Sequence, residues 1–131
     1  MNWTSLAAVL GLLAVATGAF GAHGLESVAT AEQLEWWSTA AHYHLTHSLA
    51  LLGVGALAVH RPGAGRGAGI AFVAGIVIFS GTLYAMALGA PRWFGAITPI
   101  GGVALMVGWL LLALGARGLS PRGGGPDGPS S

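Results

Sequence analysis

Long apolar stretches separated by short polar segments dominate the sequence. Four stretches lack charged side chains, at residues 1–25, 36–60, 67–91 and 93–116. Each exceeds the roughly 20 residues that an α-helix needs to cross the hydrocarbon core of a bilayer. Their apolar residues are continuous rather than alternating, which favours helices over the strands of a membrane barrel. The pattern predicts an all-α integral membrane protein, a four-helix bundle with helices near residues 3–22, 39–59, 68–89 and 97–115.

The predicted bundle forms one domain at residues 1–117. Residues 118–131 are rich in Gly, Pro and Ser and have too little apolar content to fold, so we expect a disordered C-terminal tail. The first stretch also has an alternative interpretation as a cleaved signal peptide, because small residues surround Phe20. Its lack of Lys and Arg and its long apolar run favour a membrane helix instead.

Composition narrows the class of protein further. Hydrophobic residues make up 54% of the chain and charged residues only 7%. A soluble domain carries about 25% charge, and a disordered chain is more polar still. A net charge of +1 supplies no basic surface for nucleic acid. The expected surroundings are therefore a lipid bilayer, and we expect no nucleic-acid partner.

Positive charge is unequal on the two sides of the predicted bundle. One side holds the N-terminus, the second loop and the C-terminal segment, with Arg61, Arg66, Arg117 and Arg122. The other side holds Arg92 and the glutamates. Cytoplasmic loops carry an excess of Lys and Arg, so we predict a multi-pass protein of the cell (inner) membrane with both termini in the cytoplasm.

Local signals predict two helix starts and several interfacial anchors. Thr30 and Gln33 fit a capping box, which would start the second helix before the membrane. Thr98 before Pro99 predicts an N-cap for the fourth helix, with a Pro-kinked helix from Trp93 as the alternative. Tryptophan favours headgroup depth, and we expect anchors there at Trp3, Trp36, Trp37 and Trp93, whereas Trp109 is expected to pack within the fourth helix.

Small residues recur at helical spacing and predict close helix packing. In the first helix they are Gly11, Ala14, Gly18, Gly21 and Ala22. The third helix has Ala71 with Gly75 and Gly81 with Ala85, and the fourth has Gly101, Ala104 and Gly108. A biased composition would produce the same pattern without any packing role.

Five histidines stand out in a chain with nine charged residues. On a helix, His44 and His47 share one face, Tyr43 lies one turn from His47, and His42 points away. Zinc sites commonly combine a histidine pair spaced by four residues with a carboxylate, and no acid lies in any predicted helix core. Haem ligation by two histidines is geometrically feasible, but nothing else supports it. We expect no metal site and no cofactor.

The sequence gives no indication of an enzyme. No nucleophile elbow, catalytic triad or phosphate-binding loop occurs in the sequence. The absence of acidic residues within the helices also argues against a carboxylate-driven transporter. No catalytic residue is predicted.

Polar side chains converge on the half of the predicted bundle that faces away from the termini. The candidate site residues are His23, Tyr43, His47, Ser80, Tyr84 and Thr98. Two interpretations compete: a hydrogen-bond network that fixes the helices in register, or a small pocket for a lipid headgroup, a quinone-like molecule or an ion. Polar groups buried in lipid require partners in either case.

Four ordered motifs carry a family resemblance. They are GAFGAHGL at residues 18–25, YHLTHSLA at 43–50, FSGTLY at 79–84 and ITPIGG at 97–102. With them the chain resembles the YgdD-like small membrane proteins, a family of unknown function found in bacterial membranes and in eukaryotes. The likeness runs from Trp3 to Gly115. The resemblance implies a four-helix membrane protein. The family's sequence pattern maps onto the six candidate residues and Pro99, but it does not call for histidine at the positions of His42 and His44. It implies no reaction.

The sequence thus favours a structural or accessory membrane component that assembles with itself or with a larger complex. The alternative is a membrane binding or permeation module that uses the His/Tyr/Ser cluster.

Overall fold

Four helices make up the part of the chain that the computed structural model describes, residues 2–119. We name them α1 (Trp3–Leu25), α2 (Ala31–His60), α3 (Arg66–Ala87) and α4 (Thr98–Gly115). No strand occurs within these residues. The fold is the all-α four-helix membrane bundle that the sequence predicts. From residue 120 onward, the predicted disordered tail lies outside the described residues.

Length and hydropathy fit the helices to a membrane. α1, α3 and the segment Arg92–Gly115 that contains α4 are long and apolar enough to cross one. α2 has 30 residues, so it is about 45 Å long and exceeds a hydrocarbon core of about 30 Å. Its polar residues lie mostly in its first half, where its surplus length can extend into the headgroup region.

The start of α2 follows the capping box. The Thr30 hydroxyl accepts a hydrogen bond from the Gln33 backbone N–H at 3.1 Å, and the Gln33 side chain accepts one from the Thr30 N–H at 2.9 Å. This predicted motif is confirmed. The helix therefore begins at Ala31, eight residues before the start near residue 39 that the apolar pattern alone suggested.

The predicted cap of α4 is wrong. Thr98 is the first residue of the helix, its side chain makes no capping hydrogen bond, and the residue before it, Ile97, already has helical backbone angles. A 3-10 turn at Arg92–Ala96 leads into α4, so no free helix end remains for Thr98 to cap. Its hydroxyl instead donates to the Phe94 carbonyl at 3.3 Å. Pro99 lies in the first helical turn, where its missing N–H does no harm.

Two helices contain a π-helical turn, at Gly21–Leu25 in α1 and Ile76–Ser80 in α3. A π turn holds one extra residue per turn and rotates the side chains that follow it. In α3 it separates the regular α segments Arg66–Gly75 and Gly81–Ala87.

The bundle is built from two closely packed helix pairs, α1 with α2 and α3 with α4. Glycine permits the second contact. A Cβ at Gly108 would lie 2.6 Å from the Phe72 ring, and one at Gly101 would collide with the Phe79 backbone. The predicted packing role of these two glycines is confirmed. Gly18 and Gly81, which belonged to the same predicted pattern, have nothing within 4 Å of a Cβ position.

The largest core cluster is apolar and joins all four helices. Leu51 and Val54 of α2 and Phe72 of α3 are fully buried, and Ala7 of α1 and Leu105 of α4 pack with them. The outward faces are apolar too. Their most exposed large side chains include Leu12 at 70% and Met106 at 65%. An apolar exterior of this kind suits contact with lipid.

Charge separates the two ends of the bundle. The basic end holds Arg61, Arg66 and Arg117. The Arg61 guanidinium donates to the carbonyl oxygens of Gly115, the last residue of α4, and of Arg117 just after it. The acidic end holds Glu26, Glu32, Glu35 and Arg92. There Arg92 pairs with Glu32 and so ties the approach to α4 to the start of α2.

Candidate functional site: a polar cluster within the bundle

His47 lies in the interior of the bundle with both ring nitrogens bonded. Its side chain is 5% exposed. Nδ1 lies 2.7 Å from the Tyr43 carbonyl oxygen, which can only accept, so Nδ1 carries the proton. Nε2 is then free to accept, and the Trp109 indole N–H donates to it at 3.1 Å. His47 is thereby a neutral, fully satisfied histidine that joins α2 to α4.

Trp109 therefore does more than pack. Its ring contacts those of His47 and Phe72 at centroid distances of 5.9 and 5.3 Å, and its N–H forms the hydrogen bond to His47. The prediction of a packing residue was incomplete. An indole N–H within an apolar helix needs an acceptor, and this requirement was the signal available in the sequence.

Tyr84 joins three helices. Its hydroxyl lies 2.8 Å from the Thr17 hydroxyl of α1 and 3.0 Å from Nδ1 of His44 in α2. The Thr17 carbonyl accepts a hydrogen bond from the Trp37 indole at 2.7 Å, and the Trp37 and Tyr84 rings are 4.6 Å apart. Thr17, Trp37 and His44 were not among the candidate residues.

Trp37 was expected to be an anchor at headgroup depth, but its side chain points into the bundle. Its side chain is only 7% exposed. It fills the space beside Gly21, where a Cβ would contact its ring. Its indole N–H is satisfied there by the Thr17 carbonyl, so the ring can be buried without an unpaired polar atom.

Ser80 and Thr98 take part in separate contacts between helices. The Ser80 hydroxyl, at the end of the π turn of α3, donates to the Ala40 carbonyl of α2 at 2.8 Å. The Thr98 hydroxyl of α4 lies 2.7 Å from that of Thr82 in α3. Both contacts lie on the acidic side of the apolar core, where a polar group without a partner would be unfavourable.

Tyr43 and His23 occupy the edge of the structure. Tyr43 is 39% exposed, and its ring stacks on His47 at 5.8 Å with an interplanar angle of 12°. The predicted position of Tyr43, one turn from His47, is confirmed. His23 is exposed on α1 and forms no hydrogen bond with the other candidates. Gly21 faces α2, and two residues further along a helix point to the opposite side, which explains the position of His23.

His44 is the unexpected member of the site. It is 6% exposed, and its Nε2 is buried without a hydrogen-bond partner within residues 2–119. The sequence had placed it on the face of His47, and this is confirmed, while His42 is exposed as predicted. The described residues contain no group of three or more His, Cys, Asp or Glu arranged to hold a metal ion.

A surface groove of about 420 Å³ runs between α1 and α2 near the acidic end. It is lined by Gly18, Gly21, Ala22, Glu26, Leu34, Trp37, Ser38 and Ala41. None of the six candidate residues lines it. The polar side chains are thus directed into contacts between helices rather than toward this groove.

Comparison with known families matches residues 17–102 to the family described as protein of unknown function (DUF423). This range covers more than half of the chain and includes all six candidate residues. The chain belongs to the DUF423 family. The resemblance to YgdD-like membrane proteins is thereby confirmed.

The similar relatives align with this chain over nearly their whole length. A UPF0382 membrane protein of Staphylococcus saprophyticus is 46% identical over 84% of this chain and 92% of its own. YwdK, a UPF0382 membrane protein of Bacillus subtilis, is 44% identical over 85% and 92%. The UPF0382 inner membrane protein YgdD of Escherichia coli is 39% identical over 89% and 90%. No solved structure matches the chain significantly.

Proposed function

We propose that the protein is a non-enzymatic structural or accessory component of the cell (inner) membrane, which assembles with itself or with a larger complex. In this proposal the polar cluster is a hydrogen-bond network that fixes the four helices in register. The single observation that carries it is the use of both His47 ring nitrogens in protein contacts. A ligand or metal at His47 would have to replace one of those bonds.

The remaining contacts support the same role. Tyr84 contacts α1 and α2 through one hydroxyl, and Ser80 joins α3 to α2. Association of helices in lipid depends on close packing and on such polar contacts, because lipid chains are as apolar as leucine. The network therefore specifies which helix faces meet.

A matched histidine pair tests this proposal. His47→Ala removes both bonds and leaves the Trp109 N–H unpaired, so we expect a loss of about 1–2 kcal/mol in unfolding free energy. His42→Ala, on the same helix but exposed, should change the unfolding free energy by less than about 0.5 kcal/mol. The measurement is unfolding in detergent by SDS titration, with mass spectrometry of the purified wild-type protein for bound small molecules. The proposal would be contradicted if the wild type retained a lipid, quinone or metal and a folded His47→Ala variant lost it.

The second candidate is a binding or permeation module for a lipid headgroup, a quinone-like molecule or an ion. The observation that favours it is the buried Nε2 of His44, because buried polar atoms are nearly always hydrogen-bonded. The test is His44→Leu, which removes that nitrogen. A small molecule retained by the wild type and lost from this variant would support the module. If the variant folds and retains the same small molecules as the wild type, the result would argue against it.

We further propose that both termini lie in the cytoplasm. The support is the three arginines at the basic end against the single Arg92 at the acidic end. A C-terminal fusion to a reporter that is active only in the cytoplasm should be active, and a reporter active only after export should not. The reverse result would overturn this topology.

A further inference from the structure

Two neighbouring hollows flank the Trp3 ring at the basic end of the bundle. The Trp3–Arg66 hollow, of about 400 Å³, is lined by Trp3, Gly63, Arg66 and Ile70. The second, of about 320 Å³, lies between the start of α1 and the end of α2 and shares Trp3. A Cβ at Gly69 would lie 2.6 Å from the Trp3 ring, so the indole packs directly on the α3 backbone. Trp3 is therefore a fixed wall, and 400 Å³ falls within the range of ligand pockets, about 300–1,000 Å³.

Arg66 gives the Trp3–Arg66 hollow a positive charge that no carboxylate among residues 2–119 pairs with. Among residues 2–119 the one ion pair joins Arg92 and Glu32 at the opposite end of the bundle. Both Arg61 and Arg66 are exposed, but the Arg61 guanidinium already donates to carbonyl oxygens at the end of α4. A guanidinium presents paired N–H donors that match the geometry of a phosphate group.

An apolar surface continues from the charged group toward the membrane core. Ile70 and Val73 lie four and seven residues after Arg66, which places all three on one face of α3; Val73 is half-buried against the core cluster. Ile70 is 54% exposed and itself lines the hollow. The site therefore combines a cationic head, an aromatic wall and an apolar track, which are the parts needed for a lipid rather than for a free anion.

We propose that the Trp3–Arg66 hollow binds the phosphate of an anionic phospholipid, with its acyl chain along Ile70 and Val73. Arg66 donates to the phosphate oxygens, and Trp3 lies beside the glycerol region, the depth that indole rings prefer. The described residues of this end contain no carboxylate, so a ligand with net negative charge is favoured over a zwitterionic one. This lipid site is separate from the polar cluster and does not depend on the proposed function of that cluster.

The experiment compares two arginines at the same end. The full chain is purified in neutral detergent at about 150 mM salt, mixed with equimolar phosphatidylglycerol and phosphatidylcholine, and examined by native mass spectrometry. We expect the wild type to retain phosphatidylglycerol preferentially and Arg66→Gln to lower that retention by about tenfold, since it loses charge-assisted bonds. Arg117→Gln makes the same change of charge outside the hollow and should lower retention less than about threefold. Arg66→Lys, which keeps the charge but not the paired donors, should fall between the two.

Several results would overturn the lipid site. Equal losses in Arg66→Gln and Arg117→Gln would mean diffuse attraction by the basic end. Equal retention of the two lipids by the wild type would remove the preference for an anionic ligand. If inorganic phosphate at millimolar concentration displaced phosphatidylglycerol, the site would bind free phosphate instead. Circular dichroism establishes that each variant is folded, and both arginines are exposed, so these substitutions leave the core intact.

Discussion

The two halves of this bundle are held together by different interactions. The apolar half, toward the basic end, packs Leu51, Val54 and Phe72 around small residues, and its core cluster consists of apolar side chains alone. The polar half, toward the acidic end, joins its helices through Thr17, His44, Ser80, Tyr84 and Thr98. His47 lies at the boundary, in contact with both Phe72 and Trp109. The difference indicates that close packing determines how the helices fit together in the apolar half, whereas hydrogen bonds determine it in the polar half.

The largest expected effect comes from the apolar half. Phe72→Ala removes a fully buried ring that fills the space beside Gly108, and we expect a loss of about 3 kcal/mol in unfolding free energy. Val77→Ala, on the same helix but 63% exposed, should lose less than about 0.5 kcal/mol. SDS titration in detergent micelles measures both values. Equal losses for the two variants would show that packing around Phe72 does not hold this half together.

A smaller effect is expected in the polar half. Tyr84→Phe removes only the hydroxyl that bonds Thr17 and His44, and interhelical hydrogen bonds in membranes contribute roughly 0.6 kcal/mol each. We expect a loss of about 1 kcal/mol, again from SDS titration. Tyr43→Phe is the matched control, because that ring is half-exposed and its loss of a hydroxyl should be neutral. A loss in Tyr84→Phe as large as that in Phe72→Ala would remove the distinction between the halves.

The smallest effect is expected outside both halves, at the acidic end. Arg92→Gln breaks the ion pair with Glu32 and the contact with the Trp36 ring, whose centroid is 5.6 Å away. Both charged side chains are largely exposed to solvent, so the loss should be at most about 0.5 kcal/mol. High salt should weaken the wild type by the same amount and leave Arg92→Gln unchanged. A salt-independent loss would assign the effect to packing on Trp36 instead.

The sequence predicts the outline of this fold well and its interior poorly. Four apolar stretches, the capping box at Thr30 and the position of Tyr43 one turn from His47 all follow from local spacing, and each is present. The partners of Tyr84 depend on how α1 is rotated against α2, which no local pattern specifies. Thr17 was therefore missed, since a threonine in an apolar helix gives no sign of what it bonds.

The errors at His23 and Trp37 have a related cause. His23 was grouped with the cluster because of its depth along α1, but the face it occupies is set by Gly21, which packs against Trp37. Trp37 was predicted to be an anchor at headgroup depth because indoles favour headgroups, yet a hydrogen bond to the Thr17 carbonyl inside the bundle also satisfies its polar atom. The position of each residue along its helix was predictable, and the direction of its side chain was not.

The π turn of α3 allows one helix to serve two partners. Before the turn, Arg66–Gly75 packs mainly on α4, and after it Gly81–Ala87 packs mainly on α2. A regular helix would keep one stripe of residues along a single neighbour, whereas the extra residue rotates the second segment relative to the first. The turn therefore acts as a change of register that joins the two helix pairs into one bundle.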